Sequence, residues 1–213
     1  MVEPVRDPDP AVVAANLARI RDEVGPDVEI LVAGKYVPAE GLGALAEAGV
    51  TLIGENRLQD LEAKRERWGD TFTWDFIGAL QSRKVDDLIG QVRLIHSVAS
   101  DSALRRLERF SDTGAEVLIQ VDVAGEASKS GFSAGELSDV LDRCPVRVGG
   151  LMTMPPAVAD PEASRPHFAR LRELAEAHGL ARLSMGTSQD YRVAAEEGAT
   201  IIRLGSALFA SRE

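Results

Sequence analysis

Lys35 closes the apolar run Glu29-Ile30-Leu31-Val32-Ala33-Gly34 and stands just before Tyr36-Val37-Pro38. Burial disfavours an ammonium, so a lysine at the end of a buried strand is biased towards the neutral amine, the form that attacks an aldehyde to make a Schiff base. Alone, such a lysine is more often a snorkelling side chain whose stem covers apolar surface. Its neighbours along the chain reverse those odds. Two later segments, Ser184-Met185-Gly186-Thr187-Ser188-Gln189-Asp190 and Arg203-Leu204-Gly205-Ser206, have the composition of a phosphate cup. Glycine lets the backbone approach a ligand, hydroxyls donate hydrogen bonds, and a helix start adds free amides and a positive dipole end. Ser188 and Ser206 read equally well as helix N-caps, and the two roles can coexist.

The elements that must position these residues show as strict alternation. β-rich apolar runs occupy residues 29–33, 50–53, 72–77, 93–98, 116–123, 146–152, 182–185 and 200–204. Helical patterns occupy 39–48, 57–68, 82–91, 101–111, 133–143, 161–178 and 191–197. Eight strands with crossover helices predict a closed (β/α)8 TIM barrel, with 11–24 as an extra helix beside the last strand. An open doubly wound sheet is the second choice, because Gly34-Lys35-Tyr36-Val37-Pro38 stands where a G-x-G-x-x-G loop would. Ser133-Ala134-Gly135-Glu136 reads as a capping box, with Phe132 and Leu137 as its hydrophobic staple. In a barrel the loops after the strands share one face. That rule gathers Gly34-Lys35, Gly54-Glu55-Asn56, the segment from Gly78 to Lys84, the segment from Gly150 to Pro155, and both halves of the cup.

The 213 residues are 45% hydrophobic and 27% charged, which suits one globular domain spanning 1–213 with residues 1–10 flexible. A net charge of −10 argues against a nucleic-acid partner, and no apolar run nears the ~18 residues of a membrane span. Cys144 is the one cysteine, and His96, His167 and His178 lack ligand spacing, so neither an intramolecular disulfide nor a metal site is expected. The amino terminus lacks a signal-peptide pattern, and a cytoplasmic monomer is expected.

Gly34-Lys35, Gly54-Glu55-Asn56, Phe76-Ile77-Gly78-Ala79-Leu80-Gln81-Ser82-Arg83-Lys84, Lys129-Ser130-Gly131, Gly150-Leu151-Met152-Thr153-Met154, Leu183-Ser184-Met185-Gly186-Thr187-Ser188 and Arg203-Leu204-Gly205-Ser206-Ala207-Leu208-Phe209 together resemble the successive signatures of the pyridoxal phosphate homeostasis protein family. These are single-domain relatives of the barrel half of alanine racemase. The resemblance implies pyridoxal 5'-phosphate held as a Schiff base on Lys35, with Asn56 near the ring. It implies that Ser188, the backbone at Thr187, Gly205 and Ser206 hold the phosphate, and that Arg203 faces the pyridine nitrogen. Met152 joins the cofactor-binding candidates, although core filling is the favoured role of both Met152 and Met154. An arginine cannot surrender its proton, so the ring nitrogen would stay unprotonated and the ring would be a poor electron sink.

Blander roles are expected elsewhere. His96 reads as a hydrogen-bonded strand histidine, Glu55 as an ion-pair or capping partner, and Arg83, Lys84 and Lys129 as solvated charges. The sequence departs from the family pattern at Asp75, usually histidine; at Thr187, often methionine, whose hydroxyl could add a phosphate donor; at Gln189, commonly acidic; and at Ala210, frequently glycine. The expected function is a non-catalytic carrier in vitamin B6 and amino-acid homeostasis, with small amines, amino acids and cofactor-requiring apo-enzymes as partners and no catalytic residues. The alternative is an amino-acid racemase, which needs acid and base on opposite faces of the ring and, in the related enzymes, a tyrosine from a second domain. Tyr36 and Tyr191 are the only tyrosines, and continued strand alternation would point Tyr36 away from Lys35. A cofactor-free phosphosugar enzyme using Lys35 is a third reading.

Overall fold

The computed structural model describes residues 5–125 and 130–210. Its strands are β1 Glu29–Ala33, β2 Leu52–Glu55, β3 Thr73–Phe76, β4 Leu94–Val98, β5 Glu116–Asp122, β6 Phe132–Ser133, β7 Arg147–Met152, β8 Arg182–Thr187 and β9 Ile201–Leu204. Hydrogen-bonded neighbours run β4-β3-β2-β1-β9-β8-β7-β5, and a β4–β5 pairing closes the ring. The result is the expected eight-stranded parallel barrel. The two-residue β6 is an addition that pairs with the end of β5.

Helices α1 Pro10–Val24, α2 Leu42–Glu47, α3 Leu58–Trp68, α4 Val85–Leu88, α5 Asp101–Leu107, α6 Leu137–Arg143, α7 Arg165–Ala177, α8 Tyr191–Glu196 and α9 Ser206–Phe209 surround it. Asp9 caps α1 by accepting from the Ala11 amide at 2.8 Å, and Pro10 takes the first helical position, where its missing N–H costs nothing. Val13, Leu17 and Ile20 turn inward, while Asn16 Nδ2 donates to the carbonyls of Leu208 and Ala210, each at 3.0 Å. Those bonds set α1 beside α9, the slot predicted for it. Of the ten residues expected to be flexible, Val5 donates its amide to the Tyr36 carbonyl at 2.7 Å and Pro8 is buried.

Several helices are shorter than their patterns, two of them for reasons visible at their ends. The 82–91 stretch forms a 3-10 turn, Ser82–Lys84, and then α4 alone, because Ile89 is extended and Gly90 takes a left-handed φ of 84°. At the capping box the Glu136 carboxylate accepts from the Ser133 amide at 2.8 Å and its hydroxyl at 2.6 Å, and regular helix starts at Leu137. Phe132 and Leu137 are both buried, as a staple requires.

One apolar core lies between barrel and helices, and a second fills the barrel with Leu31, Leu52, Leu94, Leu118, Met152 and Ile201. Each fully buried side chain of this size contributes ~1.5–3 kcal/mol. The barrel interior then turns polar. His96 and Arg203 lie two residues beyond Leu94 and Ile201 on the same strand faces, both buried. Among the described residues no helix is long and apolar enough to cross a membrane.

Candidate functional site

A cavity of about 310 Å³ opens at the carboxyl ends of the strands, lined by Lys35, Tyr36, Asn56, Met154, Thr187, Ser188, Gln189, Arg203, Gly205 and Ser206 with Ala33 and Ile77. Its size falls at the lower end of the ~300–1,000 Å³ of ligand pockets. Seven of the eight sequence-predicted site residues share it. Met152 does not: it packs inside the barrel, and Met154, two residues on and 49% exposed, reaches the cavity instead.

Two expectations about Lys35 are corrected. β1 ends at Ala33, and Gly34–Tyr36 forms a 3-10 turn at the barrel mouth. Lys35 is therefore exposed rather than buried. Because the turn breaks strand alternation, Tyr36 does not point away, and its ring centroid lies 5.0 Å from Lys35 Nζ. The Tyr36 ring also packs against Gly205, where a Cβ would meet its Cε2 at 2.1 Å. A side chain there would displace the ring.

Behind Lys35 lies a buried ion pair that the sequence did not disclose. Lys64, on α3, donates to Glu55 Oε1 at 2.5 Å and to the Gly34 carbonyl at 2.8 Å. It thus ties the residue preceding Lys35 to the end of β2. Glu55 is the ion-pair partner anticipated for it, and burial raises its pKa against the pull of Lys64. A Cβ at Gly34 would stand 2.0 Å from Glu55 Oε1. Next to this pair, Asn56 Oδ1 is buried with no hydrogen-bond partner among the described residues.

On the far wall, Ser188 Oγ accepts from the amides of Gly205 at 3.0 Å and Ala207 at 3.2 Å, which makes it a bridge between the two halves of the predicted cup. The Thr187 hydroxyl is not the spare donor expected. Its amide and Oγ1 both donate to Asp190 Oδ1, at 2.8 and 3.1 Å, and Asp190 Oδ2 accepts from Ser164 at 2.9 Å. Asp190 holds the turn that presents Ser188, a role hidden in the sequence because Ser164 comes from a distant segment.

Arg203 enters the cavity from β9. It donates through Nη1 to Ser184 Oγ at 2.6 Å, and through Nη2 to the Thr153 carbonyl at 2.9 Å and to Met154 Sδ at 2.8 Å. Three of its five donors are thereby used, leaving Nε–H and one Nη1–H. No carboxylate pairs with it among the described residues. Burial pushes its pKa down to about 10, opposed by Asp190. His96 is hydrogen-bonded within the strands, as expected. Arg83 bonds Gln81 Oε1 at the rim outside the cavity, and Lys129 lies outside the described residues.

Residues 9–213 match the alanine racemase N-terminal domain family. The pyridoxal phosphate homeostasis protein of Aquifex aeolicus is 39% identical over 199 residues, covering 87% of both chains. That of Pseudomonas aeruginosa is 37% identical over 216 residues, covering 95% of this chain and 94% of the other. The structure of PipY from Synechococcus elongatus PCC7942 with PLP bound superposes with a TM-score of 0.81 at 31% identity, over 93% of this chain and all of that one. The fold, the order of the motifs and these likenesses agree, and the chain belongs to the pyridoxal phosphate homeostasis proteins, built on the alanine racemase N-terminal domain.

Proposed function

We propose that this protein binds pyridoxal 5'-phosphate (PLP) in the 310 Å³ cavity, attaches it covalently at Lys35 Nζ, and serves PLP homeostasis without catalytic turnover. The observation that carries the reading is the convergence of an exposed amine, the buried unpartnered Oδ1 of Asn56 and a part-free Arg203 on one cavity. A buried acceptor without a partner is costly unless a bound molecule supplies a donor, and the spare protons of Arg203 call for an acceptor, so the residues present fit a polar guest that carries both. When bound, PLP supplies an aldehyde that condenses with primary amines and a ring that withdraws electrons.

The chain's own residues then have distinct tasks. Lys35 offers the amine. Ser188, Gly205 and Ser206 hold the phosphate, with the Ser188 hydroxyl and the amides it now satisfies exchanging partners. Arg203 faces the ring nitrogen and, being a donor only, keeps it unprotonated. The open mouth beside exposed Met154 admits small amines, and hand-over to apo-enzymes is the homeostatic role. Lack of turnover is supported by the lining. Lys35 and Tyr36 sit on one turn, and the remaining polar walls present Asn56, Met154, Gln189, Arg203 and the hydroxyls of Thr187, Ser188 and Ser206, with no carboxylate or imidazole among them.

Binding is tested by titrating the purified protein with PLP and with pyridoxal while following visible absorption. Each hydrogen bond to a charged group contributes ~1.5–3 kcal/mol, so Ser188→Ala with Ser206→Ala weakens PLP binding at least ~10-fold and leaves pyridoxal nearly unchanged. Equal losses for both ligands would reduce the serines to helix caps. Turnover is tested with L-alanine in deuterated water. Spectral change without deuterium at Cα is expected, and rapid labelling that depends on Lys35 would make the protein a racemase-type enzyme.

A further inference from the structure

The polar half of the barrel interior carries a continuous chain of hydrogen bonds from one end of the barrel to the other. At the amino end of the strands, Arg93 donates to Glu29 and, through Nε at 3.0 Å and Nη2 at 2.6 Å, to both oxygens of Asp75. Asp75 Oδ2 also meets His96 Nε2 at 3.0 Å, His96 Nδ1 meets Ser184 Oγ at 2.8 Å, and Ser184 Oγ meets Arg203 Nη1 at 2.6 Å. Asp75, His96 and Ser184 have at most 1% of their surface exposed.

The direction of every bond follows from the end groups. Arg203 can only donate, so Ser184 Oγ accepts from it, and the ionised Asp75 carboxylate can only accept, so His96 carries a proton on Nε2. In the neutral imidazole Nδ1 is then bare, and the Ser184 hydroxyl sends its proton there. The donors all run one way, from Arg203 to a buried carboxylate that also answers Arg93. Arg203, which lacks a direct carboxylate partner, therefore has its counter-charge delivered through two side chains. The arrangement has the members of a nucleophilic triad, but Ser184 is 0% exposed and its oxygen is occupied by Arg203, so no substrate reaches it.

We propose that His96 is a positioning residue for the cofactor site: held between Asp75 and Ser184 as the neutral Nε2–H tautomer, it fixes Arg203 and so decides which guanidinium protons remain for a ligand. Asp75, the departure from the family's usual histidine, completes this wiring by supplying an acceptor that cannot compete as a donor. The titratable and charged groups around His96 are Asp75 from β3, Arg93 just before β4 and Arg203 from β9, with the Ser184 hydroxyl from β8. Burial lowers the pKa of His96 against the opposing pull of Asp75. Burial works against ionisation of Asp75 too, yet hydrogen bonds from His96 and Arg93 outweigh it and hold that carboxyl below its usual value.

The role towards a ligand rests on the PLP reading, whereas the wiring is measured without PLP. Nitrogen-15 NMR of the histidine-labelled, cofactor-free protein is expected to show His96 bare at Nδ1, protonated at Nε2 and not titrating between about pH 6 and pH 8. An Nδ1–H tautomer or an imidazolium in that range overturns the proposal. With PLP, His96→Leu is expected to lower affinity at least ~10-fold and to make the visible band pH-dependent, as a loosened Arg203 lets the ring nitrogen take a proton. His96→Gln, whose carbonyl and amide can keep both bonds with the same polarity, restores most of that loss. Wild-type affinity and a pH-independent band in His96→Leu overturn the positioning role. Should His96→Leu fail to fold, Ser184→Ala cuts the same link while leaving His96 and Asp75 in place, and the same two outcomes apply. A wild-type protein that shows the tautomer but binds no PLP would sink the functional reading and leave the wiring standing.

Discussion

In Lys35→Ala protein, PLP is expected to produce no visible band beyond that of the free ligand, and borohydride to add no mass, while the wild-type chain gains one cofactor mass on Lys35. The effect is all or none because Lys35 is the only lysine lining the cavity among the described residues. Lys64, the nearest alternative in the fold, has its Nζ committed to Glu55 and to the Gly34 carbonyl and is 5% exposed. The phosphate-holding wall is untouched by the substitution, so noncovalent binding of PLP survives at reduced affinity, detectable by calorimetry. A wild-type spectrum in Lys35→Ala protein would place the attachment elsewhere and remove the centre of the functional proposal.

The second large effect is on stability. Lys64→Met removes one half of an ion pair whose other half, Glu55, has no exposed surface, and an uncompensated buried carboxylate costs ~3–5 kcal/mol. Urea denaturation at neutral pH is expected to show that loss, and Glu55→Gln combined with Lys64→Met to recover much of it. The pH dependence has a definite sign. The folded-state pKa of Glu55 is raised by burial, so the folded state binds its proton more tightly than the unfolded chain does. That contribution is fully present below the unfolded carboxylate value of ~4.3 and is lost as pH rises through the raised folded value. With Lys64 gone the rise is larger still, so the deficit of Lys64→Met should shrink as the solution is acidified. A deficit that stays constant with pH would mean that packing, and not the stranded charge, is what the lysine supplies.

What the sequence disclosed and what it concealed divide along a physical line. Near-continuous apolar runs alternating with helical periods, read between glycine-led loops, were enough for the barrel, because its strands are largely buried on both faces and the crossovers return helices to the outside. Loop motifs gave Lys35, Asn56, Ser188, Arg203 and Gly205, since the shared face of a parallel barrel converts chain order into proximity. The failures are of two kinds. Local backbone geometry moved Lys35 and Tyr36, where a 3-10 turn replaced an assumed continuation of β1. Contacts between distant segments could not be read at all: Lys64 lies on a helix patterned as charged, and its burial depends on the carboxylate of Glu55 and the bare backbone of Gly34 meeting it. His96 and Ser184 are 88 positions apart, and nothing local to either tells which partner the other will have.

The contact of Tyr36 with Gly205 constrains how this site can change over generations. A side chain at position 205 has no room while the tyrosine ring lies 2.1 Å from where its Cβ would be, whereas loss of the ring leaves the glycine backbone merely uncovered. The two positions are therefore coupled: a side chain at 205 requires the ring to turn aside or be lost, whereas replacing the ring asks nothing of the glycine. Change at the tyrosine is thus the freer of the two, and change at the glycine draws the tyrosine with it.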